Sequence, residues 1–144
     1  MSDIVRNTIL LITGLAIFTV MDLVWIGLVA ASMYQSELGD LIVLGNSMTG
    51  AQIISALATW FLLILSLLFF AVPRAKAGSR YAYYWGALTG FLIYGVYDLT
   101  NYAVLQGWSI KVVVIDMVWG TFACGFIAWV LATINLRLLA KSNP

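Results

Sequence analysis

Four apolar stretches, each close to the ~20 residues a helix needs to cross a bilayer, dominate this chain. They cover roughly residues 7–31, 51–72, 81–105 and 112–138, with Pro73 closing the second. A backbone surrounded by lipid has no water to bond, so such spans must be helices. Four strands are too few to close a membrane barrel. Hydrophobic residues make up 63% of the 144 and charged residues 9%, an apolar load that a soluble domain of this size cannot bury. The expected architecture is therefore all-α: a polytopic membrane protein, with one four-transmembrane-helix bundle over residues 1–144.

The placement of Lys and Arg predicts the orientation. Arg6 precedes the first span, Arg74, Lys76 and Arg80 follow the second, and Arg137 and Lys141 end the fourth; only Lys111 lies on the other side. Both termini and the middle loop are thus expected in the cytoplasm, an N-in/C-in topology in a cell's inner membrane. The segment Ser32–Gly50 and the turn Gln106–Lys111 face outward, with the apolar patch Leu41 to Leu44 lying along the interface. Ala30-Ala31-Ser32 resembles a signal-peptide cleavage site, but the apolar run before it is too long for one and contains Asp22, so the first span is expected to stay uncleaved. The net charge of +1 provides no field for a polyanion, which argues against nucleic acid as a partner. The chain has no His, the commonest metal ligand and pH switch, and its single Cys124 cannot pair within the chain. No metal or cofactor is expected.

Three carboxylates fall inside the spans. An Asp at a helix centre costs about 2.5–3.5 kcal/mol on insertion scales. Asp22 lies roughly fifteen residues, or ~22 Å, from the cytoplasmic start of its helix. Asp98 lies at a similar depth in the third span, and Asp116 about one turn into the fourth, which runs the other way. All three are expected in the outer half of the membrane, near the height of Gln52. Each has a Trp or Asn three residues on, namely Trp25, Asn101 and Trp119, and so on the same helix face. Indole N–H and amide groups bond carboxylates, and indole rings stack or hold cations. The first and third helices align at Asp22 and Asp98, a hint of two duplicated parallel hairpins. Interhelical hydrogen bonds of about 0.6 kcal/mol each are the structural explanation of such residues. That gain is small beside the insertion cost of three acids, so a functional site is the stronger reading. Lys111 is expected either to reach in toward a carboxylate or to extend to the headgroups.

Gly86 and Gly90 form a GxxxG pattern that Tyr94 and Asp98 continue at four-residue steps, a stripe that admits a close partner helix. Gly120 and Cys124 form a similar small face beside Trp119. Trp85, Trp108, Tyr81, Tyr83 and Tyr84 sit near span ends, as aromatic belts do.

The run Tyr94-Gly95-Val96-Tyr97-Asp98-Leu99-Thr100-Asn101-Tyr102-Ala103-Val104-Leu105, with Gly107-Trp108 and Asp116-Met117-Val118-Trp119-Gly120, resembles a bacterial family of multi-pass membrane proteins, the domain of unknown function numbered 2177. Asp22-Leu23-Val24-Trp25, Tyr34 and the Phe-Ala-Val-Pro ending at Pro73 match as well. The outer loop and the start of the second helix fit less well, with an aromatic pair present only loosely as Trp60-Phe61. The resemblance implies a membrane fold and brings no activity with it.

Three functional classes remain open. Acids facing a wet cavity make proton relays and cation sites, the transporter or channel reading; four helices then call for a homo-oligomer. An aspartic acid beside an aspartate supplies a general acid and base for an intramembrane enzyme acting on a lipid or isoprenoid, while ordinary hydrolysis lacks a His or a Ser nucleophile motif. The third is an assembly subunit bound to another membrane protein. Polar residues are scarce in the cytoplasmic half, which favours a one-sided site over a pore. The preferred expectation is an outer-half pocket, in contact with membrane lipids, that binds a small molecule or lipid through Asp22, Trp25, Tyr94, Asp98, Asn101, Asp116 and Trp119.

Overall fold

The computed structural model describes residues 1–43 and 47–142, which are mostly helical, with no strand among them. Helix α1 (Asp3–Val24) starts at Ser2, whose hydroxyl accepts from the Val5 N–H, and continues as a π-helical turn, Trp25–Val29. A short helix α2 (Ala31–Leu38) and a 3₁₀ turn (Gly39–Leu41) occupy the segment expected as a loop. Of the apolar patch expected along the interface, Leu44 lies outside the described residues. Helix α3 (Gly50–Phe70) opens with a capping box, in which the Thr49 hydroxyl and the Gln52 side chain satisfy each other's backbone N–H groups. A 3₁₀ turn, Val72–Ala77, leads to α4 (Ser79–Val104) and then α5 (Ile110–Ser142). Gly78 and Gly107, at φ +119° and +88°, make the turns before and after α4, backbone shapes that residues with a Cβ rarely adopt.

Among the described residues three helices are long and apolar enough to cross a membrane: Asp3–Val29, Gly50–Ala75 and Ile110–Ala140. Their surface is the inverse of a soluble protein's. Ile12, Val20, Leu28, Ile54, Leu62, Phe69 and Val118 are all exposed, as side chains bathed in lipid would be. The less apolar α4, 26 residues long and so ~39 Å, reaches across a comparable distance.

The helices run alternately up and down. Gly86 sits against Cys124 and Ala128, Gly90 against Gly120 and Cys124, and Gly95 against Met117, so α4 is antiparallel to α5. Gly14 meets Ile64 and Leu131, and Asp22 meets Trp60 and Trp119, so α1 is antiparallel to both α3 and α5. The core follows from these contacts: Leu10, Phe18, Leu63, Ile64, Leu67, Ala123, Ile127 and Leu131 pack together in the middle of the bundle. Between α4 and α5 the packing is backbone on backbone. A Cβ at Gly90 would lie 2.1 Å from the Gly120 carbonyl oxygen. The GxxxG stripe is thus an interface inside the chain.

Candidate functional site

The three aspartates lie at the end of the bundle away from the termini, and all three are buried. They are held in different ways. Asp22 has both oxygens bonded: the Trp60 indole N–H donates to Oδ2 at 2.8 Å and the Trp119 indole N–H to Oδ1 at 3.2 Å. Asp116 accepts from the Tyr34 hydroxyl at Oδ1. That hydroxyl in turn accepts from the Trp25 indole at 3.1 Å. The Trp25 and Trp119 rings stack with centroids 4.4 Å apart and planes within 2° of parallel, which joins the two halves of the network.

The helix polarity explains this arrangement. Asp22-Leu23-Val24-Trp25 on α1 and Asp116-Met117-Val118-Trp119 on α5 pass each other head to tail. Each Trp therefore lands beside the other helix's Asp rather than its own. Trp119 reaches Asp22 directly, and Trp25 reaches Asp116 through Tyr34. Trp25 and Trp119 thus share a helix face with their own Asp but make their bonds across to the neighbouring helix. The π-helical turn begins at Trp25, closed by the bond from the Ala30 N–H to the Trp25 carbonyl at 2.7 Å. Such turns within longer helices often mark functional positions.

Asp98 differs from the other two. It is fully buried, and neither of its carboxyl oxygens has a hydrogen-bond partner. Trp108, in the α4–α5 turn, faces it, yet the buried Trp108 indole N–H also lacks a partner of good geometry. Asp116 lies within electrostatic reach of both Asp22 and Asp98. The three acids thus form a chain with Asp116 in the middle. Among the described residues no group of three or more His, Cys, Asp or Glu is placed to hold a metal ion.

The other candidates divide. The Tyr94 ring packs on Gly120, with Asp22 and Asp116 in electrostatic reach of its hydroxyl. Asn101 is half-buried and interacts with the Tyr97 hydroxyl rather than with a carboxylate. Gln52 is used in the α3 cap and is exposed. Lys111 neither reaches an Asp nor stands alone: its ammonium pairs with Glu37 at 3.0 Å. Ser109 donates to the other Glu37 oxygen at 2.6 Å, so α2 is clasped to the start of α5. These two bonds, the Ser109 one foremost, hold the Glu37 carboxyl below its ordinary range. Trp60, Tyr34 and Trp108 are the residues that sequence reasoning did not assign. The roles of Trp60 and Tyr34 depend on partners 38 and 82 residues away along the chain, and all three residues left a trace only through the family resemblance or, for Trp108, the aromatic belt.

Two surface grooves lie elsewhere. One, of about 690 Å³, sits between the ends of α1, α3 and α5 that carry the termini, and the other runs along the outside of α4 from Phe91 to Ala103. Neither is lined by the aspartates.

Fold and site together define a helical membrane protein with a buried network of carboxylates and aromatic donors at one end. Residues 7–133 match the family described as predicted membrane protein (DUF2177), and the chain belongs to that family. No curated protein and no solved structure matches the chain.

Proposed function

We propose that the chain crosses a bacterial inner membrane four times, with both termini in the cytoplasm, and binds a small molecule or lipid through the aspartates at its outer end. The fourth crossing is supported by α4 lying antiparallel along the apolar α5, so a membrane crossed by one is crossed by the other. The orientation is supported by Arg6, Arg74, Arg80 and Arg137, which all fall at the end that carries the termini.

The observation that carries the binding reading is Asp98. A buried polar group without a partner costs about 1–3 kcal/mol and calls for a reason, and here the Asp98 carboxyl and the Trp108 indole N–H come close without aligning into a regular hydrogen bond. A hydroxyl satisfies both, since it accepts from the Trp108 indole and donates to Asp98; an ammonium satisfies Asp98 alone. A hydroxyl-bearing ligand is therefore the best fit. Asp22, with both oxygens bonded, supports the site, and Asp98 and Asp116 are the contact groups. Entry requires the α2 segment or the Trp108 turn to move, since Asp98 has no exposed surface.

The test is native mass spectrometry of the full chain released from its membrane, wild type against Asp98→Leu and Asp98→Asn. A hydroxylated ligand retained by the wild type and lost from Asp98→Leu, with helicity intact, is the expected result. A wild type that carries nothing, together with a more stable Asp98→Leu, refutes binding. Proton or cation flux in proteoliposomes that Asp98→Asn abolishes would replace this reading with transport.

A further inference from the structure

The groove between α1, α3 and α5 is lined by two residues that carry buried polar atoms without hydrogen-bond partners. Leu10, Val72 and Ala75 are the buried residues of its lining, and Leu11, Leu65 and Leu68 are half-buried ones. Its volume of about 690 Å³ lies within the range of about 300–1,000 Å³ common to small-molecule sites. Two of its polar lining residues are incompletely bonded. Arg6 uses Nη1 on Asp3 at 2.7 Å, a one-turn pair whose carboxylate side is 79% exposed, but its Nε has no partner. Asn135 Oδ1 is buried and also has none. One is a cationic donor, the other an acceptor.

The surroundings supply the occupant's chemistry. This end of the bundle lies at a membrane surface, where the concentrated amphiphile is phospholipid. A phosphate answers Arg6, because guanidinium–phosphate bonds are charge-assisted and outcompete an exposed one-turn ion pair. A neutral carbonyl acceptor such as Asn135 Oδ1 requires a donor on the same ligand. Acyl chain fits along Leu65, Leu68 and Leu11. We propose that this groove is a specific site for a phospholipid whose headgroup carries an N–H or O–H donor beside its phosphate, with Arg6 on the phosphate and Asn135 on the donor. The site is separate from the aspartates and does not depend on the function proposed for them.

Headgroup chemistry provides the test. Phosphatidylethanolamine has the donor, and phosphatidylcholine, with a quaternary amine, does not. The full chain in detergent is titrated with dioleoyl forms of each and read by native mass spectrometry. The ethanolamine lipid is expected to be retained about tenfold more tightly, the worth of one hydrogen bond of about 1.4 kcal/mol. Arg6→Gln should weaken retention of both lipids by roughly tenfold or more, as the loss of a charged hydrogen bond does. Asn135→Leu should erase the difference between them, and Leu68→Trp should block both by filling the channel. Asp98→Leu should change nothing here, which separates this site from the other. Equal retention of the two lipids by the wild type overturns the proposal, as does unchanged retention in Arg6→Gln.

Discussion

Replacing Gly90 by Ala probes the contact on which the site's geometry depends. The added Cβ would stand 2.1 Å from the Gly120 oxygen and 2.7 Å from the Cys124 Cβ, where ordinary contact begins at 3.4 Å. The obstruction is helix backbone rather than the tip of a side chain, so α4 and α5 must separate by about an ångström. Overpacking of this kind costs about 1–3 kcal/mol, and the rigid partner places Gly90→Ala at the upper end. Alanine returns about 1 kcal/mol through its higher helix propensity, which leaves a net loss of about 2 kcal/mol. At about 2–4 °C per kcal/mol for a chain of this size, Tm in detergent should fall by roughly 4–8 °C. Gly27→Ala is the matched control: nothing lies within 4 Å of its Cβ position, so only the propensity gain remains and Tm should hold or rise slightly. Thermal unfolding followed by circular dichroism measures both. A Gly90→Ala protein as stable as Gly27→Ala would refute the close α4–α5 contact. It would also undercut the placement of Asp98 near Asp116, which depends on the same interface.

Three further outcomes are expected. Trp60→Phe keeps an aromatic ring but removes the indole N–H, the shorter of the two bonds to Asp22, and part of the ring's packing against the core, so stability in detergent should fall by at least the ~0.6–1.7 kcal/mol measured for interhelical hydrogen bonds in membranes; no loss would mean that Trp119 alone suffices. Tyr34→Phe strips Asp116 of its donor and Trp25 of its acceptor at once, and hydrogen exchange over residues 31–38 should accelerate while the core of α5 is unchanged. The clasp of Glu37 on Ser109 and Lys111 sets a pH dependence. Its folded-state pKa is depressed, so its contribution is fully present above the ordinary Glu value of 4.5 and is lost as pH falls from there through the lowered value. Exchange in α2 should therefore stay slow down to that point and rise below it, and Glu37→Gln should flatten the profile; a transition well above pH 4.5 would show that another group controls the clasp.

The sequence by itself determined the solvent and the elements. Runs of apolar residues as long as a bilayer is thick leave the backbone no option but helix, and the placement of Asp22, Asp98 and Asp116 toward one end of the bundle follows from their positions along those runs. The GxxxG stripe of Gly86 and Gly90 was visible too, though not which helix would fill it. Helix packing decided the rest. Spacing within one helix places Trp25 beside Asp22 and Trp119 beside Asp116, but the antiparallel contact of α1 with α5 exchanges those partners and stacks the two rings. Trp60 and Tyr34 gained their roles from neighbours in three dimensions, 38 and 82 residues away along the chain, a distance that no periodicity encodes. Lys111, expected to reach an aspartate or the headgroups, was taken by Glu37 because α2 folds as a helix that returns over the start of α5. Only tertiary structure could single out Asp98 among three similar acids. All three come from the same kind of helical run, and what distinguishes Asp98 is that its one neighbouring donor, the Trp108 indole of the α4–α5 turn, is not aligned to bond it well.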